Sequence, residues 1–234
     1  MVLALPGSEG VGSRAMPVIT ILKRKGGVGS STIAANLAGQ FVARGRSVRL
    51  LDCDSQHSVS AWAECAATSD SVLPRVVQAV DTDSPSELRR LLEHACKAVD
   101  LVIVDAAPSF PITALEAVRR SDVVLIPCGP SPLDLGPAGD ALEVAESCRD
   151  GRARPVVYFV PSKNLPRTRL GRELPEALAG AGLEFGTGVL PSTSQRIACA
   201  EAVLSGQTID EYEPDGDAAK EFAALADAVE GLLP

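Results

Sequence analysis

The chain has 234 residues, enough for one or two domains at about 150 residues each. Apolar residues make up 46% and charged residues 22%, which excludes a disordered or collagen-like chain. With 22 basic and 30 acidic side chains the net charge is −8, so any contact with nucleic acid must come from a local basic patch and be weak and salt-dependent.

No apolar run approaches the roughly 18–20 residues that span a bilayer. Residues 1–15 lack a basic stretch ahead of an apolar core, so they read as a loose N-terminal extension and not as a secretory signal. The remainder, 16–234, reads as one domain, and the expected location is the cytoplasm. Six cysteines stand at 53, 65, 96, 128, 148 and 199 with no C-x-x-C pair, and the only histidines are His57 and His94. That spacing suits reduced, packed thiols rather than disulfides or a zinc site.

In chain order, short apolar runs at 18–22, 47–51, 75–80, 101–104, 123–126 and 155–160 alternate with segments of helical period at 31–44, 84–97, 112–119, 136–149 and 170–180. A last helix is expected over 217–232. Runs apolar on both faces suit buried parallel strands, and apolar residues at i, i+3, i+4 and i+7 suit helices that cover them. Ser84 with Glu87 three residues on marks a capped helix start. The alternation predicts a single doubly wound α/β domain, a mostly parallel sheet with helices on both faces.

Between the first strand and the first helix lies Lys25-Gly26-Gly27-Val28-Gly29-Ser30-Ser31-Thr32. Glycines let backbone N–H groups turn inward around an anion, and the helix start adds the positive end of its dipole. The Ser31 hydroxyl falls where a phosphate loop ligates Mg²⁺. Two further motifs follow: Asp52-Cys53-Asp54-Ser55-Gln56 after the second strand, and Asp105 at the end of an aliphatic run. A lone strand-end aspartate commonly caps a turn. Three such motifs at the carboxyl ends of one set of strands point instead to a nucleotide. Cys53 lies between two acids, which disfavours a thiolate, so it reads as a packing residue. Trp62, at apolar spacing with Val59, reads as core and not as a stacking platform.

The loop resembles that of the ParA/MinD family of deviant phosphate-loop ATPases, K-G-G-x-G-K-[ST]-[ST], and Asp52 to Gln56 resembles the family's D-x-D-P-Q box with Ser55 in place of proline. Residues 127–139, Ser194-Gln195-Arg196 and 216–220 resemble segments of the small ParF-like partition ATPases. The resemblance runs from about Pro17 to the end and implies the P-loop NTPase fold. It implies that residues 25–32 bind ATP, that Lys25 reaches the partner's phosphates across an ATP-bound homodimer, and that Asp54 positions the attacking water. It further implies that Ser31, with Asp105 through a water, holds Mg²⁺. Partners implied are nucleoid DNA, bound without sequence preference through C-terminal basic residues, and a ParB-like or other adaptor. Arg196 matches one such basic position, and Arg167 and Arg169 lie in the same late cluster with Lys163 and Arg172. The acidic segment 218–234 lacks the basic amphipathic helix that an anionic membrane requires.

One position departs from the pattern. Ser30 stands where the family has the loop lysine that contacts the β- and γ-phosphates. Its loss removes a charge-assisted contact worth about 1.5–3 kcal/mol and a charge on which phosphoryl transfer depends. Nucleotide binding is still expected, with hydrolysis slow or absent. The readings that stay open are a weak ATPase that positions a plasmid, chromosome or other cargo, and a non-hydrolysing, nucleotide-gated binding module. So does the question whether Ser30 is natural, engineered or compensated by Lys23 or Arg24.

Overall fold

The computed structural model describes residues 16–66 and 70–234; the expected extension over 1–15 lies outside the described residues. Among the described residues seven strands form: β1 (Val18–Ile21), β2 (Val48–Asp52), β3 (Val77–Ala79), β4 (Leu101–Asp105), β5 (Val123–Cys128), β6 (Val156–Pro161) and β7 (Gly188–Val189). All pair in parallel, in the order β3-β2-β4-β1-β5-β6-β7. Parallel neighbours need crossovers, which the helices supply. These are α1 (Ser30–Ala43), α2 (Ser58–Glu64), α3 (Leu73–Val76), α4 (Pro85–Ala98), α5 (Ile112–Arg120), α6 (Pro132–Arg149), α7 (Arg169–Gly182), α8 (Ile197–Leu204), α9 (Ile209–Tyr212) and α10 (Asp217–Glu230).

Successive side chains of the central strands β1, β4 and β5 enter opposite cores, which is why these strands are almost wholly apolar. On β4, Leu101 and Ile103 pack with Ile19, Leu50, Phe41 of α1 and Phe222 of α10. Val102 and Val104 pack on the other face with Leu51 and with Leu88 and Leu92 of α4. Further along that face, Val124, Ile126 and Phe159 meet Ala141 and Leu142 of α6. Each fully buried aliphatic side chain contributes roughly 1.5–3 kcal/mol. Gly39 of α1 is required by close approach, since a Cβ there would lie 2.7 Å from Thr208 Cγ2.

Three stretches differ from the sequence expectation. Residues 73–76 form α3, with Pro74 in its first turn, so β3 starts at Val77 and runs three residues. Helix α6 begins four residues before 136, because Ser131 caps it by accepting from the Leu133 N–H and Pro132 fits its first turn. The third is the set of short elements α2, α8, α9 and β7, which were not expected. Because β1 lies between β4 and β5, the strand order reverses at its carboxyl end, and the crevice opens there.

Candidate nucleotide site

The phosphate loop is shaped by two glycines in the left-handed region, Gly27 at φ 84° and Gly29 at φ 85°, where a side chain would strain the backbone. Gly29 precedes α1 and offers no side-chain cap, and α1 has no acid in its first turn. Its first N–H groups are therefore left for an anion. The outer side of the loop is held from the end of β6. Ser162 Oγ donates to the Val28 carbonyl at 2.6 Å and Lys163 Nζ to the Gly27 carbonyl at 2.9 Å. Sequence reasoning missed both contacts, because Ser162 and Lys163 lie more than 130 residues from the loop. The one available signal is position: they follow a buried strand, where ligand-binding loops gather.

Behind the loop, Asp52 and Asp105 are register partners at the ends of β2 and β4, and Asp54 follows two residues on. Lys23, 3% exposed, stands among them. Its Nζ lies 2.9 Å from Asp54 Oδ2 and donates to Asp105 Oδ1 at 2.9 Å. Ser31 Oγ donates to the other Asp105 oxygen at 2.6 Å. Burial alone would push the Lys23 amine down, but Asp105 and Asp54 outweigh it and hold the ammonium above the ordinary lysine range. Burial would likewise raise Asp54. The Gln56 N–H and the Lys23 ammonium outweigh it and hold that carboxyl below the usual range. Asp52 does a different job: its Oδ2 accepts from the N–H and hydroxyl of Ser60 at 2.8 and 2.9 Å, which ties α2 to β2. The Cys53 thiol is pushed up to about 12, by burial first and then by Asp52 and Asp105, which suits packing and not nucleophilic chemistry.

The other residues singled out from the sequence separate. Lys25 is half-exposed at the mouth of the loop, ion-paired to Asp134 in the first turn of α6 and donating to the Leu133 carbonyl at 3.3 Å. Ser30 is buried at the start of α1. Thr32, Gly29, Lys163, Thr193 and Phe222 line a cleft of about 300 Å³ beside the loop. Arg196 borders that cleft but is not a free cation, because its guanidinium meets Asp217 at 3.0 Å and Glu221 at 2.7 Å. Arg169 pairs with Glu173 at 2.8 Å, and Arg167 is exposed. The late basic cluster is therefore partly neutralised by its own acids. Trp62 is buried, and its Nε1 donates to the Gln207 carbonyl at 3.1 Å.

The two residues expected to hold Mg²⁺, Ser31 and Asp105, meet beside the loop. The Ser31 hydroxyl is in position, and Lys23 and Ser31 each bond one Asp105 oxygen, which leaves each oxygen a further lone pair to accept from a water. Asp54 is held by the same ammonium. Ser31 and Asp105, joined to each other beside the loop, are the residues that would hold Mg²⁺, Asp105 through a water.

A seven-stranded parallel sheet with a glycine loop at the turn from its central strand to α1, and acids at the ends of the adjacent β4 and of β2 next to it, defines a phosphate-loop nucleotide-binding domain. The family profile described as the CobQ/CobB/MinD/ParA nucleotide binding domain matches residues 19–209, and the chain belongs to that family. It is similar to the maintenance of carboxysome distribution protein A of Halothiobacillus neapolitanus, with 27% identity covering 82% of this chain and 85% of that protein. It is also similar to the chromosome-partitioning ATPase Soj of Thermus thermophilus, with 28% identity covering 90% of this chain and 94% of that one. Among solved structures, the septum site-determining protein MinD of Pyrococcus horikoshii, complexed with Mg-ADP, shares the fold. The TM-score is 0.70 at 19% identity, covering 92% of this chain and 96% of that one.

Proposed function

We propose that this chain is a cytoplasmic, nucleotide-dependent switch of the partition type, which binds ATP, dimerises around it and positions a plasmid, chromosome or other cargo through an adaptor protein. The observation that carries the reading is the glycine loop with uncapped helix N–H groups at the carboxyl end of β1, with Ser31 and Asp105 joined beside it. The cleft lined by Thr32, Thr193 and Phe222 suits the nucleoside, and Lys25 at the mouth suits a reach across a dimer. The relatives named for carboxysome distribution and chromosome partitioning supply the class of task.

Hydrolysis is slow or absent in this reading. Ser30 supplies no ammonium to the phosphates, and Asp54 is committed to Lys23 and not free to hold a water. These two features favour the nucleotide-gated binding module over a fast ATPase. Sequence-independent binding to duplex DNA rests on Arg167 and Arg169, with Arg196 contributing only when Asp217 and Glu221 release it. Its affinity should fall with salt by a slope of about −0.9 per phosphate neutralised.

The test is calorimetry with ATP and a non-hydrolysable analogue. Binding is expected in the unaltered chain, and Ser30→Lys should tighten it by about ten- to a hundredfold, the equivalent of roughly 1.5–3 kcal/mol. Absence of heat at millimolar nucleotide overturns the reading.

A further inference from the structure

The phosphate loop carries Ser30 in place of a lysine, so a side-chain charge that meets bound phosphates has to reach them from another position. Most cations around the loop are held by acids. Lys23 is buried between Asp54 and Asp105, Arg24 faces Asp140 at 3.6 Å, Lys25 pairs with Asp134, and Arg196 is held by Asp217 and Glu221. Lys163 differs. Its ammonium donates to the Gly27 carbonyl of the loop at 2.9 Å, and among the described residues no carboxylate pairs with it.

The backbone at the end of β6 places that side chain. Lys163 takes φ 49°, in the left-handed region that a lysine rarely enters. The turn is pinned on both sides, because the Ser162 N–H donates to the Cys128 carbonyl at 2.8 Å and the Asn164 N–H to the Thr193 carbonyl at 2.9 Å. Strain of this kind persists only where the surroundings over-determine it, and it gathers at ligand sites. The lysine stem then crosses Gly29, where an added Cβ would lie 3.6 Å from Lys163 Cγ and 3.7 Å from its Cε. Lys163 thereby borders the cleft of about 300 Å³ together with Gly29 and Thr32. An ammonium carries three N–H donors on a flexible stem; the Gly27 carbonyl takes one and two remain.

We propose that Lys163 stands in for the missing loop lysine, supplying from the end of β6 the positive charge and the N–H donors that the loop offers to the phosphates of a nucleotide. The inference rests on the nucleotide-binding reading above and deepens it by naming a further phosphate-binding residue. A side chain that only braces the loop, as the Ser162 hydroxyl does at the Val28 carbonyl, would shape the backbone and leave the phosphates to the amides. The two roles separate when a lysine is put back at position 30. A second phosphate-binding charge makes the first partly redundant, whereas a brace stays as necessary as before.

The experiment is calorimetry with a non-hydrolysable ATP analogue on four forms of the chain: unaltered, Lys163→Met, Ser30→Lys and the two substitutions together. Lys163→Met keeps a stem over Gly29 and removes the charge. It is expected to weaken binding by about fivefold or more on its own, and by less than about twofold where Ser30→Lys is also present. Lys163→Arg, which keeps the charge, should recover most of the lost affinity. Equal losses in the two backgrounds overturn the inference and leave Lys163 a brace. A folded Lys163→Met chain that binds as tightly as the unaltered one overturns it as well. Both of those results leave the nucleotide-binding reading standing, while absence of binding by the unaltered chain overturns the reading and the inference together. If Lys163→Met does not fold, Lys163→Gln takes its place in the same cycle with the same expected losses.

Discussion

At the scale of single residues, Lys23 has the largest energetic consequences. A buried ammonium is tolerable only because two carboxylates meet it, and those carboxylates are tolerable only because it is there. Removing one partner leaves the rest uncompensated. Lys23→Met is therefore expected to lose about 3–5 kcal/mol of stability, and Asp54→Asn added to it should recover part of that loss. Urea unfolding of the two variants checks this, and equal stability of Lys23→Met and the unaltered chain would refute it. The contrast with Lys25 is instructive. Its pairing with Asp134 is half-exposed, so breaking it costs less than about 1 kcal/mol and leaves Lys25 free to move to another anion. The sequence showed Lys25 and Ser30 directly, because both belong to one contiguous loop. It showed Lys23 only as a nearby lysine, since its setting depends on the ends of β1, β2 and β4 meeting across 82 residues of chain.

At the scale of elements, legibility followed length and locality. Helix α4 was readable because Ser84, Pro85 and Glu87 carry its start and Leu88, Leu92 and Ala95 mark its inner face. Helix α9 and strand β7 have four and two residues, too few to show a period. They are held by distant groups: Asn36 Oδ1 of α1 accepts from the Ile209 N–H at 2.7 Å, and β7 pairs with β6. The joint between α4 and α5 offers a prediction with a defined pH dependence. Glu116 of α5, buried, accepts from Arg89 Nε at 2.9 Å and from Arg120 Nε at 3.2 Å. Burial would raise its carboxyl, but the two arginines outweigh it and hold it below the usual glutamate range. A carboxyl lowered in the folded state contributes stability that is present above its unfolded value near 4.3 and is lost as pH falls through the folded value. Both arginines are partly exposed, so solvent screening limits the effect. Glu116→Gln should cost about 0.5–1.5 kcal/mol at neutral pH and progressively less toward pH 3. Denaturant midpoints at the two pH values check it, and a cost that does not shrink in acid would contradict it.

At the scale of the whole molecule, a fixed scaffold presents a loop suited to phosphates and, in that loop, a lysine paired to the first turn of α6. The strand order puts the glycine loop, the strand-end acids and the α6 start on one edge of the sheet. No described helix is long and apolar enough to cross a membrane. Nucleotide should change the state of association through Lys25, and sedimentation velocity measures that change. The unaltered chain and Lys25→Ala are each run without nucleotide and with saturating ATP, and nucleotide binding is confirmed separately for both. The unaltered chain should be a monomer alone and a dimer with ATP, and Lys25→Ala should bind ATP while remaining a monomer. An unaltered chain that stays monomeric with ATP bound, or a Lys25→Ala chain that dimerises as readily as the unaltered one, would contradict it.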